Sequence, residues 1–143
     1  MSNSLRVIVV AVVAVLAAGA FWISRPSPVA VQPAAQSASA ETIAVAMPEL
    51  SAAEKSGQVR YSMLCAQCHG ANAGGTMQGP PLIHKIYEPS HHGDMAFLLA
   101  AQNGVRAHHW NFGDMPAVEG SNDEMVAEIV TFIRAVQRAN GIQ

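Results

Sequence analysis

Residues 65–70 read CAQCHG, and this stretch holds both cysteines of the 143-residue chain, with His69 directly behind the second. Three ordinary uses of such a pair meet different difficulties. A redox-active dithiol has the same C-x-x-C spacing, but at a helix start in a βαβ setting that is missing here. Structural zinc takes four ligands, and no second cysteine pair exists, although six histidines leave a mixed site open. A plain disulfide suits an exported protein and also stays open.

Upstream of the motif, Ser51-Ala52-Ala53-Glu54 has the form of a capping box, which predicts a helix from about Ala52 into Cys65. Far downstream, Ser121-Asn122-Asp123-Glu124 forms a second box before MVAEIVTFIRAVQRANG. There Val126, Ile129, Val130, Phe132, Ile133 and Val136 keep helical spacing until Gly141. Between the two, Asp94 is placed to cap a shorter helix, MAFLLAAQN, ended by Gly104. Strand-like alternation is nowhere sustained, and loops rich in Gly and Pro (AGGTMQGPP, EPSHHG) fill the gaps. The domain therefore reads as all-α. Its 96 residues from Pro48 to Gln143 carry only modest helices and few large aliphatics. Such a chain buries too little apolar surface by itself, so something else fills the middle.

Before this domain lie two segments of different character. Residues 1–25 contain eighteen uncharged residues between Arg6 and Arg25, VIVVAVVAVLAAGAFWIS. As a helix they measure about 27 Å, close to the ~30 Å hydrocarbon core of a bilayer. A single-pass signal anchor is the favoured reading, with Trp22 before Arg25 as an interfacial belt. A cleaved secretory signal, cut near Ala18-Gly19-Ala20, is its rival, and both readings export the remainder. Residues 26–47 combine three prolines with Ala, Ser and Gln and read as a flexible linker spanning about 25 Å. From Pro48 onward six Lys and Arg face nine Asp and Glu, a net charge of −3. No basic cluster is present to neutralise phosphates, so nucleic acid is excluded as a partner.

C-x-x-C-H is also the attachment signature of c-type haem. The two thiols add to the porphyrin vinyl groups, and the histidine on the same turn coordinates iron from one side. A large, flat, mostly apolar macrocycle would supply the missing interior. Motif and context together favour this reading over dithiol, zinc and disulfide.

From about Pro48 to Gln143 the chain resembles a class I cytochrome c of the small bacterial monohaem type. The resemblance implies an all-α cytochrome c fold, three to four helices wrapped around one haem c bound through Cys65 and Cys68. Gly57 and Tyr61 stand where that family crosses its first and last helices, and Ile129 and Phe132 resemble their partners. Only a small residue lets two helix axes come so close. The family also has a methionine as sixth iron ligand in a loop after the middle helices, and Met115-Pro116 in NFGDMPAV fits that place opposite His69. Met63, Met77, Met95 and Met125 have duller readings, in or beside helices and turns. His108 and His109 offer bis-histidine ligation as a competing arrangement. Gly79-Pro80-Pro81-Leu82 resembles the G-P-x-L loop. There the Pro80 carbonyl would accept the axial histidine's Nδ1–H and Leu82 would pack on the porphyrin, against the plain reading of a turn. Trp110 matches an indole that donates to a haem propionate, with a core aromatic as the plain alternative. Arg106 faces the same two readings, propionate partner or solvated surface charge.

With His69 and Met115 as ligands, iron has no open position and exchanges single electrons, which is the function the resemblance implies. A soft thioether and burial both favour the ferrous state. The expected partners are transient redox proteins, with the membrane reached through the N-terminal segment. The expected location is a single-pass cell-membrane protein with its haem domain in the periplasm, or an exported soluble protein if the signal is cleaved. Two rivals differ in class. A haem enzyme, or a haem subunit of a larger oxidoreductase, needs the distal side free or a larger assembly. A metal-handling protein is suggested by HHGDM (His91 to Met95) and HHWNFGDM (His108 to Met115), whose imidazoles and thioethers suit copper.

Overall fold

The computed structural model describes residues 42–143, and the expected membrane segment and most of the linker lie outside the described residues. Among the described residues no helix is long and apolar enough to cross a membrane. Four helices follow in order: α1 (Ala52–Leu64), α2 (Ala66–His69), α3 (Asp94–Asn103) and α4 (Asp123–Ala139), with a 3-10 turn at Lys85–Tyr87. No strand forms among the described residues, only an isolated antiparallel bridge between Val105 and Met115. The described part of the protein is all-α, as the sequence predicts.

The start of α1 follows the sequence closely. Glu54 donates its backbone N–H to the Ser51 hydroxyl, and the Ser51 backbone N–H donates to the Glu54 carboxylate at 2.7 Å. Two other caps differ from expectation. The cap of α4 is Asn122, whose side-chain oxygen accepts from the Met125 N–H at 2.9 Å, while the Ser121 hydroxyl turns back to the Val118 carbonyl. Both residues can cap, and the extended backbone of Asn122 is what directs its side chain onto the helix end. Asp94 is the first residue of α3 rather than its cap, which is Gly93. The Asp94 carboxylate instead accepts from Arg134 Nε at 2.8 Å.

Helices α1 and α4 cross at Gly57. A Cβ placed there would lie far inside contact distance of the Glu128 carbonyl oxygen and 3.0 Å from the Phe132 Cβ, so hydrogen is the only side chain that fits. Beside the crossing the Tyr61 and Phe132 rings pack 5.3 Å apart, both fully buried, and each contributes about 2–3 kcal/mol by leaving water. Ile129, Ile133 and Val136 of α4 join them with Leu82 and Ile83 from the intervening loop. A smaller cluster, Ala101 with Val126 and Val130, seats α3 on the outer part of α4.

Residues 42–47, whose composition suggested the end of a linker, lie against the domain. Thr42 and Ile43 donate backbone N–H groups to Gly75 and Gly74 at 3.0 and 3.1 Å. The Asn140 side chain bonds both the N–H and the carbonyl of Ala46, at 3.0 and 2.8 Å.

Candidate cofactor site

The C-x-x-C-H stretch is a helical turn. Cys65 closes α1 by donating its N–H to the Tyr61 carbonyl at 2.9 Å, and its own carbonyl accepts from His69 at 3.0 Å as α2 begins. This turn holds Cys65, Cys68 and His69 together on the wall of one cavity of about 700 Å³, a size typical of cofactor pockets. The two cysteines are free thiols, not a disulfide. Burial, with a smaller repulsion from Cys68, pushes the Cys65 thiol up to about 11.

His69 is fixed by its surroundings. Its Nδ1 lies 2.8 Å from the Pro80 carbonyl, which can only accept, so the proton sits on Nδ1 and the Nε2 lone pair is left free. Burial holds the ring below the usual imidazole pKa, more than the Pro80 bond raises it, and the neutral form is the one that ligates metal. The loop from Gly70 to Leu82 is built to deliver Pro80. The Thr76 hydroxyl donates to the Cys68 carbonyl at 2.6 Å, and Gly75 donates to the His69 carbonyl at 2.8 Å. Gly79 passes so near that a Cβ would sit 2.9 Å from the Cys68 oxygen. Leu82 then enters the core and faces the same cavity.

A second segment supplies further cavity wall. Val105 and Met115 exchange both backbone hydrogen bonds at 2.9 Å, and Asp114 accepts from the Ala107 N–H at 2.8 Å, closing the segment 105–115 into a loop pinned at its base. Met115 and Trp110 line the cavity, and so do His108 and His109, so both sets of candidate distal donors reach the same space. Met63 lines it too, but within α1, two residues before Cys65. Met77 is 83 % exposed and not part of the wall, and Arg106 is exposed and also apart from it.

The residues present fit a haem. Two thiols, a neutral imidazole nitrogen and a thioether are the donor set that a covalent haem with soft axial ligation takes up. An independent sign comes from Trp110. Its indole Nε1–H is buried and finds no acceptor, although the Tyr87 hydroxyl is near enough to moderate the upward pull of burial on its own pKa. The separation falls outside hydrogen-bond geometry, so the indole counts as unpaired. An orphaned buried donor costs about 1–3 kcal/mol, which an anionic acceptor inside the cavity would recover.

Two positioning residues escaped the sequence reading. Arg134 and Gln137, three apart on α4, are buried among apolar neighbours. Arg134 donates to the Tyr87 and His92 carbonyls at 2.7 and 2.6 Å and to Gln137 at 2.6 Å. Gln137 donates in turn to the Leu82 and Tyr87 carbonyls, both at 3.0 Å. Together they strap the loop carrying Leu82 and Tyr87 to α4. The signal was the pair of polar residues interrupting the apolar face of that helix.

Comparison with known families agrees with this geometry. The family model described as Cytochrome c matches residues 54–137, a stretch that includes the C-x-x-C-H turn, Pro80, Leu82, Trp110 and Met115. No curated protein and no solved structure matches the chain. From the helix crossing at Gly57 to the turn that gathers two thiols and an imidazole, and over more than half its length by the family match, the chain belongs to the cytochrome c family.

Proposed function

We propose that the protein is a one-electron carrier, using a single haem c joined to Cys65 and Cys68, with His69 and Met115 as axial donors. The observation that carries this reading is the common cavity. It gathers both thiols, an imidazole whose tautomer is set by Pro80 and the thioether of a methionine on a pinned loop. When bound there, the haem supplies reversible one-electron chemistry at its iron. His69 offers Nε2 from a ring that cannot turn, and Met115 offers a soft donor that favours the reduced state. With both donors supplied by the chain, no position is left for a substrate, which is why the reading is a carrier and not an enzyme. Trp110 offers its N–H to a carboxylate at the cavity wall, and Leu82 provides apolar contact.

The apolar segment 7–24 supports a single-pass anchor, with the domain in the periplasm on a tether and short-lived contacts with redox proteins. Redox titration of the full-length holoprotein, with stopped-flow mixing against cyanide, tests the carrier function. A single reversible one-electron transition with slow cyanide uptake is expected. Rapid cyanide binding to the ferric form would overturn the carrier in favour of an open haem that handles small molecules.

A further inference from the structure

Four histidines converge beside the cavity from two separate loops. His91 and His92 come from the turn before α3, and His108 and His109 from the pinned loop 105–115. The rings of His91 and His92 lie 4.6 Å apart, those of His91 and His109 5.3 Å, and those of His92 and His109 5.2 Å. One ring nitrogen from each of His91, His92 and His109 lies within 4.8 Å of the others. His108 stands 4.2 Å from His109 and stacks on His92 at 6.1 Å.

Neither packing nor charge pairing explains the cluster. His91, His108 and His109 are exposed, and none of the four joins an ion pair among the described residues. We propose that His91, His92 and His109 form a binding site for a late first-row divalent transition-metal ion of the Zn²⁺ and Cu²⁺ class, separate from the ligands of the haem.

The geometry is close to what such an ion requires. Imidazoles bind zinc at about 2.0–2.1 Å, which in a tetrahedral site sets the donors about 3.4 Å apart. The three nitrogens need to close by little more than about 1 Å, within reach of rotamer adjustment in surface loops. His92 already has the arrangement of a ligating histidine. Its Nδ1 lies 2.7 Å from the Ile86 carbonyl, which fixes the proton there and leaves Nε2 free. Its backbone is held as well, since the His92 N–H donates to Glu88 at 2.8 Å and its carbonyl accepts from Arg134 at 2.6 Å. Three imidazoles with water or His108 in the fourth position make an intermediate donor set, and imidazole selects Zn²⁺, Cu²⁺ and Ni²⁺ over Mg²⁺ and Ca²⁺. A bound ion would also join the loop carrying Met115 to the turn that Arg134 anchors.

The test is calorimetric titration of Zn²⁺ into full-length ferric holoprotein in detergent, made without an affinity tag. Zinc is redox-inert and leaves the iron oxidation state alone. One equivalent is expected to bind, at least about a hundredfold more tightly than to the His91→Ala/His109→Ala double variant, while the visible haem spectrum of the variant matches the wild type. That spectral match separates this site from the iron ligands, so the electron-carrier reading stands or falls independently. The single change His91→Ala, at an exposed position, should weaken binding at least about tenfold even if the double variant gives no holoprotein. Absence of stoichiometric Zn²⁺ uptake by the wild type, or equal affinity in His91→Ala, would overturn the proposal.

Discussion

The Tyr61 hydroxyl donates to the Gly70 carbonyl 2.8 Å away, joining the α1/α4 crossing to the residue directly after His69. The same ring packs on Phe132, so one side chain couples helix packing to the geometry of the haem-attachment turn. Tyr61→Phe keeps the ring contact and leaves the Gly70 carbonyl with the Ala73 N–H, 3.1 Å away, as its remaining donor. A loss of about 0.5–1.5 kcal/mol is expected in denaturant unfolding of the holoprotein.

Gly57→Ala tests the crossing itself. The added methyl meets the Glu128 backbone, which cannot turn aside as a flexible side chain could. The helices must separate, and a loss of more than about 3 kcal/mol is expected, read as a lower melting temperature and a reduced yield of haem-bearing protein. A melting temperature equal to wild type would mean that the crossing is looser than described.

Arg134→Met removes the donor to His92 and Gln137 and one of two donors to Tyr87. Methionine fills much of the volume but leaves the His92 carbonyl and the Gln137 side-chain oxygen without this donor, while Tyr87 keeps its bond from Gln137, at about 2 kcal/mol or more in total. Arg134→Lys keeps the charge without the planar fork and should recover only part of the loss. Arg134→Lys as stable as the wild type would point to charge, not geometry, as the contribution.

Met115→Ala should leave the haem covalently attached, since Cys65 and Cys68 are untouched. The expected fall in midpoint potential is at least about 60 mV, equivalent to a tenfold weaker preference for the ferrous state, together with faster cyanide binding. An unchanged potential would show that His108 or His109, on the same cavity wall, is the donor instead.

Glu54 gives a pH signature. Hydrogen bonds from the Ser51 N–H and hydroxyl hold its carboxyl below the ordinary value of 4.5; burial opposes them and Arg138 adds to them. A carboxyl lowered by folding stabilises above its unfolded pKa, and the contribution disappears as pH falls through the folded value. Wild type should therefore exceed Glu54→Gln in stability above pH 4.5, with the difference fading in more acidic urea titrations. A difference independent of pH would assign the effect to packing.

The parts of the molecule legible in sequence were those written in local spacing. CAQCHG, the Ser51 box and the apolar stripe of α4 are each short-range patterns, and Gly57 with Tyr61 sits at fixed distances from the first cysteine. Longer-range features were not legible. The two histidine pairs are sixteen residues apart in the chain, and only the folding of two loops brings them together. Asp94 looked like a cap because an aspartate before a helix usually is one, but a buried guanidinium competes for its carboxylate and wins. Residues 42–47 resemble a linker in composition, and their hydrogen bonds to Gly74, Gly75 and Asn140 have no counterpart in local sequence.

The architecture also sets an order of events. Helix α4 follows the other described helices in the chain, and it supplies Glu128 and Phe132 to the crossing and Arg134 and Gln137 to the strap. The α1 side of the crossing has no α4 to close upon until that helix has been made. During synthesis, then, both sulfhydryls sit in an unlatched chain, open to whatever stitches the pigment in place, and the door shuts behind them.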